Sequence, residues 1–202
     1  MTTPVLSIVG PSKVGTAIAV LARRAGYEVA AIGGRDATKT EMAAEQIGGH
    51  IKAGTPFEAA GTGELVLLAV SDDAIETVCD ELAKANAFSG GAIVAHCSGA
   101  LGHDILRTAR ERCGCQIASI HPLQTFPTIQ SAIDGLAGVH WFLEGDEPAV
   151  KMLDELVTAI GGKPVAISSE QKPLYHAAAV MACNYLTALM DASLATAGGA
   201  GV

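Results

Sequence analysis

The sequence is short of positive charge. Its 13 Lys and Arg stand against 21 Asp and Glu, a net charge of −8 with the six histidines neutral, and basic residues nowhere cluster. Nucleic-acid and anionic membrane surfaces are bound through clustered Lys and Arg, so neither is an expected partner. Charged residues make up only 17% of the chain while half of it is apolar, and 23 Gly with 8 Pro is ordinary usage. That composition excludes disordered, collagen-like and low-complexity classes. Met1 to Gly10 has no basic stretch and only a short apolar run broken by Ser7, which does not read as a signal peptide. The longest uncharged apolar stretch, between His176 and Asp191, carries Asn184 and falls short of the roughly 18 residues of a spanning helix, so no transmembrane segment is expected. Cys79, Cys97, Cys113, Cys115 and Cys183 are odd in number and dispersed, in a chain long enough to build a core without staples. A reducing cytoplasm is the expected setting. A P-loop, an H-E-x-x-H pair and a nucleophile elbow are also missing.

What is present is an alternation of strand and helix signals. Val5–Val9, Glu28–Ile32, His50–Ala53, Leu65–Val70, Ala92–Ala95 and Gln116–Ile120 read as strands, with helical spacing over Val14–Ala25, Ala37–Ile47, 72–85 and 101–112. This is the pattern of a parallel sheet with crossover helices. Leu65 to Val70 is continuously apolar, as a strand buried on both faces must be. After Pro122 the rhythm changes to a strand at Val139–Leu143, a helix at Pro148–Ile160, a strand at Lys163–Ile167, and one long helix of small residues from Ser168 to about Ala197.

The first turn reads Gly10-Pro11-Ser12-Lys13-Val14-Gly15, a G-x-G-x-x-G fingerprint with Ser12 in the place of the middle glycine, lying between a strand and a helix. Gly10 permits the tight turn, Gly15 permits close helix packing, and the helix N-terminus offers N–H groups to a pyrophosphate. The alternative is a plain Gly-rich strand–helix turn. An NAD site places an acidic residue about 20 residues beyond the glycines; here that position is Arg35, with Lys39 a helical turn on, which favours the 2′-phosphate of NADP over NAD. Asp36 either serves a ribose or, before Ala37, caps a helix. The expected architecture is therefore α/β: a Rossmann-type doubly wound parallel sheet over residues 1–167, followed at 168–202 by the first helix of an all-α C-terminal domain.

In such a sheet ligands bind beyond the carboxyl ends of the strands. The residues found there are Gly10–Gly15, Arg35, Ser71-Asp72-Asp73, His96-Cys97-Ser98-Gly99 and His121-Pro122-Leu123-Gln124-Thr125. His121 precedes Pro122, which holds it extended, and its near-neutral pKa suits proton transfer; otherwise it is a packing histidine. Ser98 either offers a hydroxyl to the nicotinamide side or starts a helix. At 100° per residue Lys172, His176 and Asn184 fall within about 120° of one helix circumference, a polar face able to orient a carbonyl during hydride transfer. Pro173 leaves Lys172 either on the helix or in its entry loop. Cys113-Gly114-Cys115 supplies two of the four ligands of a structural zinc site, and no metal is expected.

The blocks Gly10–Ala17, Ala69-Val70-Ser71-Asp72-Asp73-Ala74-Ile75, His96–Gly102, Ser119-Ile120-His121-Pro122-Leu123-Gln124-Thr125-Phe126 and Lys172-Pro173-Leu174-Tyr175-His176-Ala177-Ala178-Ala179 together resemble bacterial Rossmann-like proteins with a helical C-terminal domain of unknown function. Those proteins are similar to deazaflavin-dependent NADP oxidoreductases and, more distantly, to 6-phosphogluconate and β-hydroxyacid dehydrogenases and ketopantoate reductase. The resemblance implies catalytic roles for a Lys and an Asn on the helix entering the second domain, which Lys172, His176 and Asn184 would inherit. Ser12 departs from the family pattern, and the sequence stops after one C-terminal helix, where the family has a bundle. Such a helix cannot bury all its apolar faces, so a homodimer through it, or a remaining segment, is expected.

The expected activity is hydride transfer between NADP and a small polar carbonyl, hydroxy acid or imine. Gly10, Ser12, Lys13, Val14 and Gly15 would hold the pyrophosphate, Arg35 and Lys39 the 2′-phosphate, and Ser71 and Ser98 the ribose and nicotinamide side. His121, Lys172, His176 and Asn184 are the candidate acid/base and orienting groups. The alternative is a dinucleotide-binding sensor or partner module that does no chemistry and associates through its C-terminal helix; a metal-dependent hydrolase is a weaker third.

Overall fold

The computed structural model describes residues 3–201; Met1, Thr2 and Val202, on which the N-terminal reading and the outer domain limits partly fall, lie outside them. Eight strands form one sheet: β1 (Leu6–Val9), β2 (Val29–Gly33), β3 (Lys52–Gly54), β4 (Leu65–Leu68), β5 (Ile93–His96), β6 (Gln116–Pro122), β7 (His140–Gly145) and β8 (Lys163–Ala166), in the order β3-β2-β1-β4-β5-β6-β7-β8. The order reverses between β1 and β4, the crevice where a doubly wound sheet opens for ligand. Why these segments pair is visible in β4. Leu65 and Leu67 enter one core while Val66 and Leu68 enter the other, because successive side chains of a strand alternate between faces. The helices α1 (Lys13–Arg24), α2 (Ala37–Ile47), α6 (Ile129–Gly135) and α7 (Glu147–Ala159) cover the first core, and α3 (Pro56–Ala60), α4 (Ile75–Lys84) and α5 (Arg107–Cys113) the second.

The fold is the expected α/β doubly wound class, with departures. The sheet is not wholly parallel: β7 runs antiparallel to β6, and β8 is parallel to β7. Two helices, α3 and α6, were not expected, since five and seven residues are too few for periodicity to register. Their local signal is the cap. Thr55 accepts from the Glu58 amide while Glu58 reaches back to the Thr55 amide, with Pro56 opening the first turn. The stretches expected as helices from residues 72 and 101 begin instead with 3₁₀ turns, Asp72–Ala74 and His103–Leu106.

The last helix starts at Lys172 and runs through α8 (Lys172–Val180), a π-turn (Met181–Tyr185) and α9 (Leu186–Gly199). At 28 residues it is long and apolar enough, by length and composition, to cross a membrane. This corrects the sequence-based expectation, which counted only the charge-free run from His176 to Asp191. Its start is docked on the sheet through buried Lys172, while Leu174, Met181, Tyr185, Leu186, Leu189, Met190 and Leu194 are exposed.

Gly10 is the tightest point of the crevice. Its φ is +105°, and a Cβ there would lie 2.6 Å from the Ala69 carbonyl oxygen, so both conformation and space demand glycine. Gly10→Ala is expected to cost about 1–3 kcal/mol or more, read as a lowered urea midpoint with unchanged slope.

Candidate active site

The crevice end of the site is built by the start of α1. Ser12 caps this helix, its Oγ accepting from the Gly15 amide at 3.2 Å. Among the described residues the Lys13 and Val14 amides take no protein acceptor, leaving two N–H groups at the positive end of the helix dipole for an anion. Beside them a cavity of about 480 Å³ is lined by Gly10, Gly34, Arg35, Thr55, Phe57 and Ser71, among others. Arg35 is exposed and forms no ion pair among the described residues. Asp36 resolves to a helix cap, accepting from the Lys39 amide at 3.1 Å. Lys39 departs from its expected place: its Nζ lies 3.6 Å from Asp36, and it lines neither cavity beside Arg35. The first turn of α2 draws the ammonium to the capping carboxylate three residues back. Thr55 and Phe57 went unnoticed in the sequence because they follow the short edge strand β3.

The other end is set by the register of β6 and β7. Antiparallel pairing places Ser119 opposite Glu144 and His121 opposite Phe142, two cross-strand pairs on one face. Glu144, almost fully buried, accepts from the His103 amide (2.6 Å) and Nδ1 (2.6 Å), Ser119 Oγ (3.1 Å) and Ser169 Oγ (2.8 Å). Lys172 Nζ lies 3.7 Å from the same carboxylate and donates to Ser119 Oγ. Burial works to raise the Glu144 carboxyl, but hydrogen bonds from His103 and Ser169, with the neighbouring positive charge, hold it below its ordinary value. Burial lowers the Lys172 ammonium to about 8 against the pull of Glu144.

Lys172 therefore sits beneath the site, 1% exposed, bound to a carboxylate and a serine rather than facing the cleft with His176 and Asn184. The polar stripe drawn from uniform helical spacing placed it wrongly, because the first helical residue turns into the sheet. Ser98 is also more committed than expected. Its hydroxyl donates to Asp72 at 2.6 Å and accepts from the Ala100 and Leu101 amides, which makes it a loop clasp. His96, fully buried, is held by the Ser98 amide on Nδ1 and the Gly102 carbonyl on Nε2, and burial depresses its pKa to about 4.

His121, His176 and Asn184 do come together. With Gln124, Thr125 and Cys183 they line a cavity of about 240 Å³. His121 Nδ1 lies 2.8 Å from the Tyr175 hydroxyl, and Tyr175 stacks on Phe142 with ring centroids 3.8 Å apart. The His121 and His176 rings meet edge to face at 5.8 Å. Burial, then the adjacent His176 and Lys172, bring the His121 pKa down to about 4. Gly99 is wedged against both imidazoles: a Cβ would fall 2.5 Å from His176 Nδ1 and 2.7 Å from His121 Nε2. Asn184 reaches this cavity across the π-turn, whose extra residue shifts the helix phase. Gln124 and Thr125 were expected at this sheet edge without an assigned role, whereas Tyr175 and Phe142 were not singled out in the sequence as site residues; the adjacency of Tyr175 to His176 in one block was the available signal. All five cysteines are free thiols, and no group of three or more His, Cys, Asp or Glu among the described residues could hold a metal.

The strand order, the bare helix amides and the polar edge define an α/β domain of the doubly wound class with a crevice open to an anionic ligand. The chain belongs to the Rossmann-like domain family, whose profile matches residues 3–122; residues 139–202 match a domain of unknown function (DUF2520). No curated protein matches the chain. Among solved structures it is similar to protein TM1727 from Thermotoga maritima, at 29% identity and a TM-score of 0.74 over 98% of this chain and 71% of that one. A pyrroline-5-carboxylate reductase from Coxiella burnetii is 20% identical, with a TM-score of 0.69 over 100% of this chain and 73% of that one. An imine reductase from Pseudomonas sp. is 17% identical, with a TM-score of 0.73 over 98% and 68%. These last two likenesses establish fold.

The buried imidazoles generate a pH prediction. With folded values near 4 for His96 and His121 against about 6.5 in an unfolded chain, the unfolded state binds more protons between those values. Stability therefore falls as pH drops through that window. Urea denaturation between pH 7 and pH 5, above most carboxylate titration, is expected to show this loss. His96→Asn is expected to remove about half of it, leaving the His121 share, while lowering stability at pH 7.

Proposed function

We propose that the protein is an NADP-dependent oxidoreductase acting on a small polar carbonyl, hydroxy acid or imine compound. The observation that carries this reading is the distribution of chemistry along one sheet edge. At the crevice stand two bare helix amides and an unpaired guanidinium; beyond β6 stands an imidazole with one free nitrogen, beside a small polar cavity. The residues fit the cofactor. Gly10 leaves its backbone open to close approach, the Lys13 and Val14 amides suit a pyrophosphate, and Arg35 suits a 2′-phosphate. The cofactor would supply the hydride.

The protein's own part is to hold and orient. His121 Nε2 would hydrogen-bond the oxygen or nitrogen of the reacting C=O or C=N group as charge develops there, and Gln124, Thr125 and Asn184 would fix the rest of the molecule. Lys172 is assigned a positioning role, since its charge is already neutralised by Glu144. Ser71 lines the crevice cavity and would face a ribose, whereas Ser98 would act through its clasp on Asp72. The bare apolar face of α8 and α9 would be covered by a second copy of the chain, giving a homodimer, and the free thiols suit a reducing cytoplasm.

Calorimetry with purified protein tests the cofactor half. NADPH is expected to bind, and Arg35→Ala to weaken it by about 10- to 100-fold, the worth of one charge-assisted hydrogen bond, while leaving NADH affinity nearly unchanged. No NADPH binding at millimolar concentration ends the proposal. For the chemical half, His121→Asn is expected to lower turnover by about 10²- to 10⁴-fold with NADPH affinity intact, measured as loss of NADPH absorbance over a panel of ketones, 2-oxo acids and cyclic imines. A protein that binds NADPH and oxidises it with none of them is the sensor instead.

A further inference from the structure

Tyr175 does nothing in the chemistry just described, yet it makes the only hydrogen bond that the His121 ring has among the described residues. Its own hydroxyl has no second partner there. A phenol carries one hydrogen and is a better donor than acceptor. If His121 Nδ1–H donated to it, the phenol hydrogen would be left without an acceptor in a partly buried place, at the cost of an unsatisfied polar group. The satisfied arrangement is the reverse, with Tyr175 O–H donating to Nδ1. Burial raises the Tyr175 pKa, which keeps that hydrogen in place, and it holds the His121 ring neutral.

The geometry is held from three sides. Tyr175 is stacked on Phe142 at an interplanar angle of 27°, and Phe142 is the cross-strand partner of His121, so hydroxyl and imidazole are referred to one pair of strands. The far edge of the His121 ring, Cε1 and Nε2, faces Gly99, where a Cβ would fall 2.7 Å from both atoms, so any larger residue there would displace the ring. His176 closes the remaining side edge to face. Nε2 is then the free nitrogen of a residue that lines the polar cavity.

We propose that Tyr175 is a positioning residue whose hydroxyl, clamped by Phe142, fixes His121 in the tautomer that presents Nε2–H to the cavity. The site is thereby a receptor for a lone-pair acceptor, the oxygen of a carbonyl or the nitrogen of a neutral imine, rather than for a protonated iminium, which has only hydrogen to offer. This role rests on the oxidoreductase reading for its functional meaning; the tautomer does not.

Long-range ¹H–¹⁵N spectra of the full chain near pH 7, with the His121 signals identified by their loss in His121→Asn, test it directly. The expected wild-type result is a protonated Nε2 and an unprotonated Nδ1. In Tyr175→Phe, which keeps the stacked ring, both nitrogen shifts are expected to move toward the averaged values of mixed tautomers. Turnover should fall about tenfold with NADPH affinity unchanged. A wild-type spectrum with Nδ1 protonated overturns the proposal, as does a Tyr175→Phe spectrum identical to wild type; the first criterion does not require Tyr175→Phe to fold. Failure of the oxidoreductase reading would show separately, as absent NADPH binding with the spectra still as expected.

Discussion

One buried carboxylate organises the reacting end of this molecule. Removing Glu144 from water is costly unless its oxygens are met by donors and a charge. The fold meets them from four places: Ser119 on the neighbouring strand, His103 from the turn before α5, Ser169 from the loop after β8, and Lys172 from the first turn of α8. The consequence lies less in net stability, which a buried pair rarely improves over an apolar replacement, than in specification. With Lys172 fixed at Ser119 and Glu144, Tyr175 and His176 follow three and four residues later, one turn along the helix. There they meet the next cross-strand pair, His121 and Phe142. Two rungs of one strand pairing thus receive two successive turns of one helix.

That arrangement depends on the reversal of β7, the part of the sheet the sequence did not disclose. The alternation of strand and helix signals through Gln116, the fingerprint at Gly10 and the cationic position at Arg35 were all legible, because each is a local pattern with a local cause. Strand direction is not local. Val139 to Leu143 reads as a strand either way, and only the antiparallel register brings Ser119 to Glu144 and His121 to Phe142. Lys172 shows the same limit. Uniform helical spacing placed it on a polar face with His176 and Asn184, a projection blind both to a π-turn and to a buried carboxylate on another strand drawing the ammonium inward. Asp36 was ambiguous for a smaller reason, a cap and a ligand asking for the same residue type.

The two ends of the sheet edge contrast electrostatically, and the contrast follows from the same pairings. At the crevice the α1 amides take no protein acceptor and Arg35 forms no ion pair among the described residues, although Glu81 lines the same cavity, in a chain whose net charge is −8. At the reacting end the buried charges answer one another. Lys172 is matched by Glu144, and the two imidazoles nearest the sheet, His96 and His121, are held neutral by burial. An anionic ligand is therefore drawn to the crevice, while the small cavity beyond β6 offers hydrogen bonds without net charge.

A neutral cavity has a further consequence for how selectivity arises. Coulombic attraction falls off slowly and discriminates poorly between molecules of like charge, whereas a hydrogen-bonding site rejects a molecule lacking the matching group because a buried polar atom is then left unpaired. With His121 Nε2, Gln124, Thr125 and Asn184 around about 240 Å³, selection falls on shape and on the placement of lone pairs. This is why the tautomer of one imidazole matters. A change of tautomer at His121 exchanges donor for acceptor at the same point in space, changing what the cavity accepts without altering its size, and the Tyr175 hydroxyl on Nδ1, clamped by Phe142, removes that freedom.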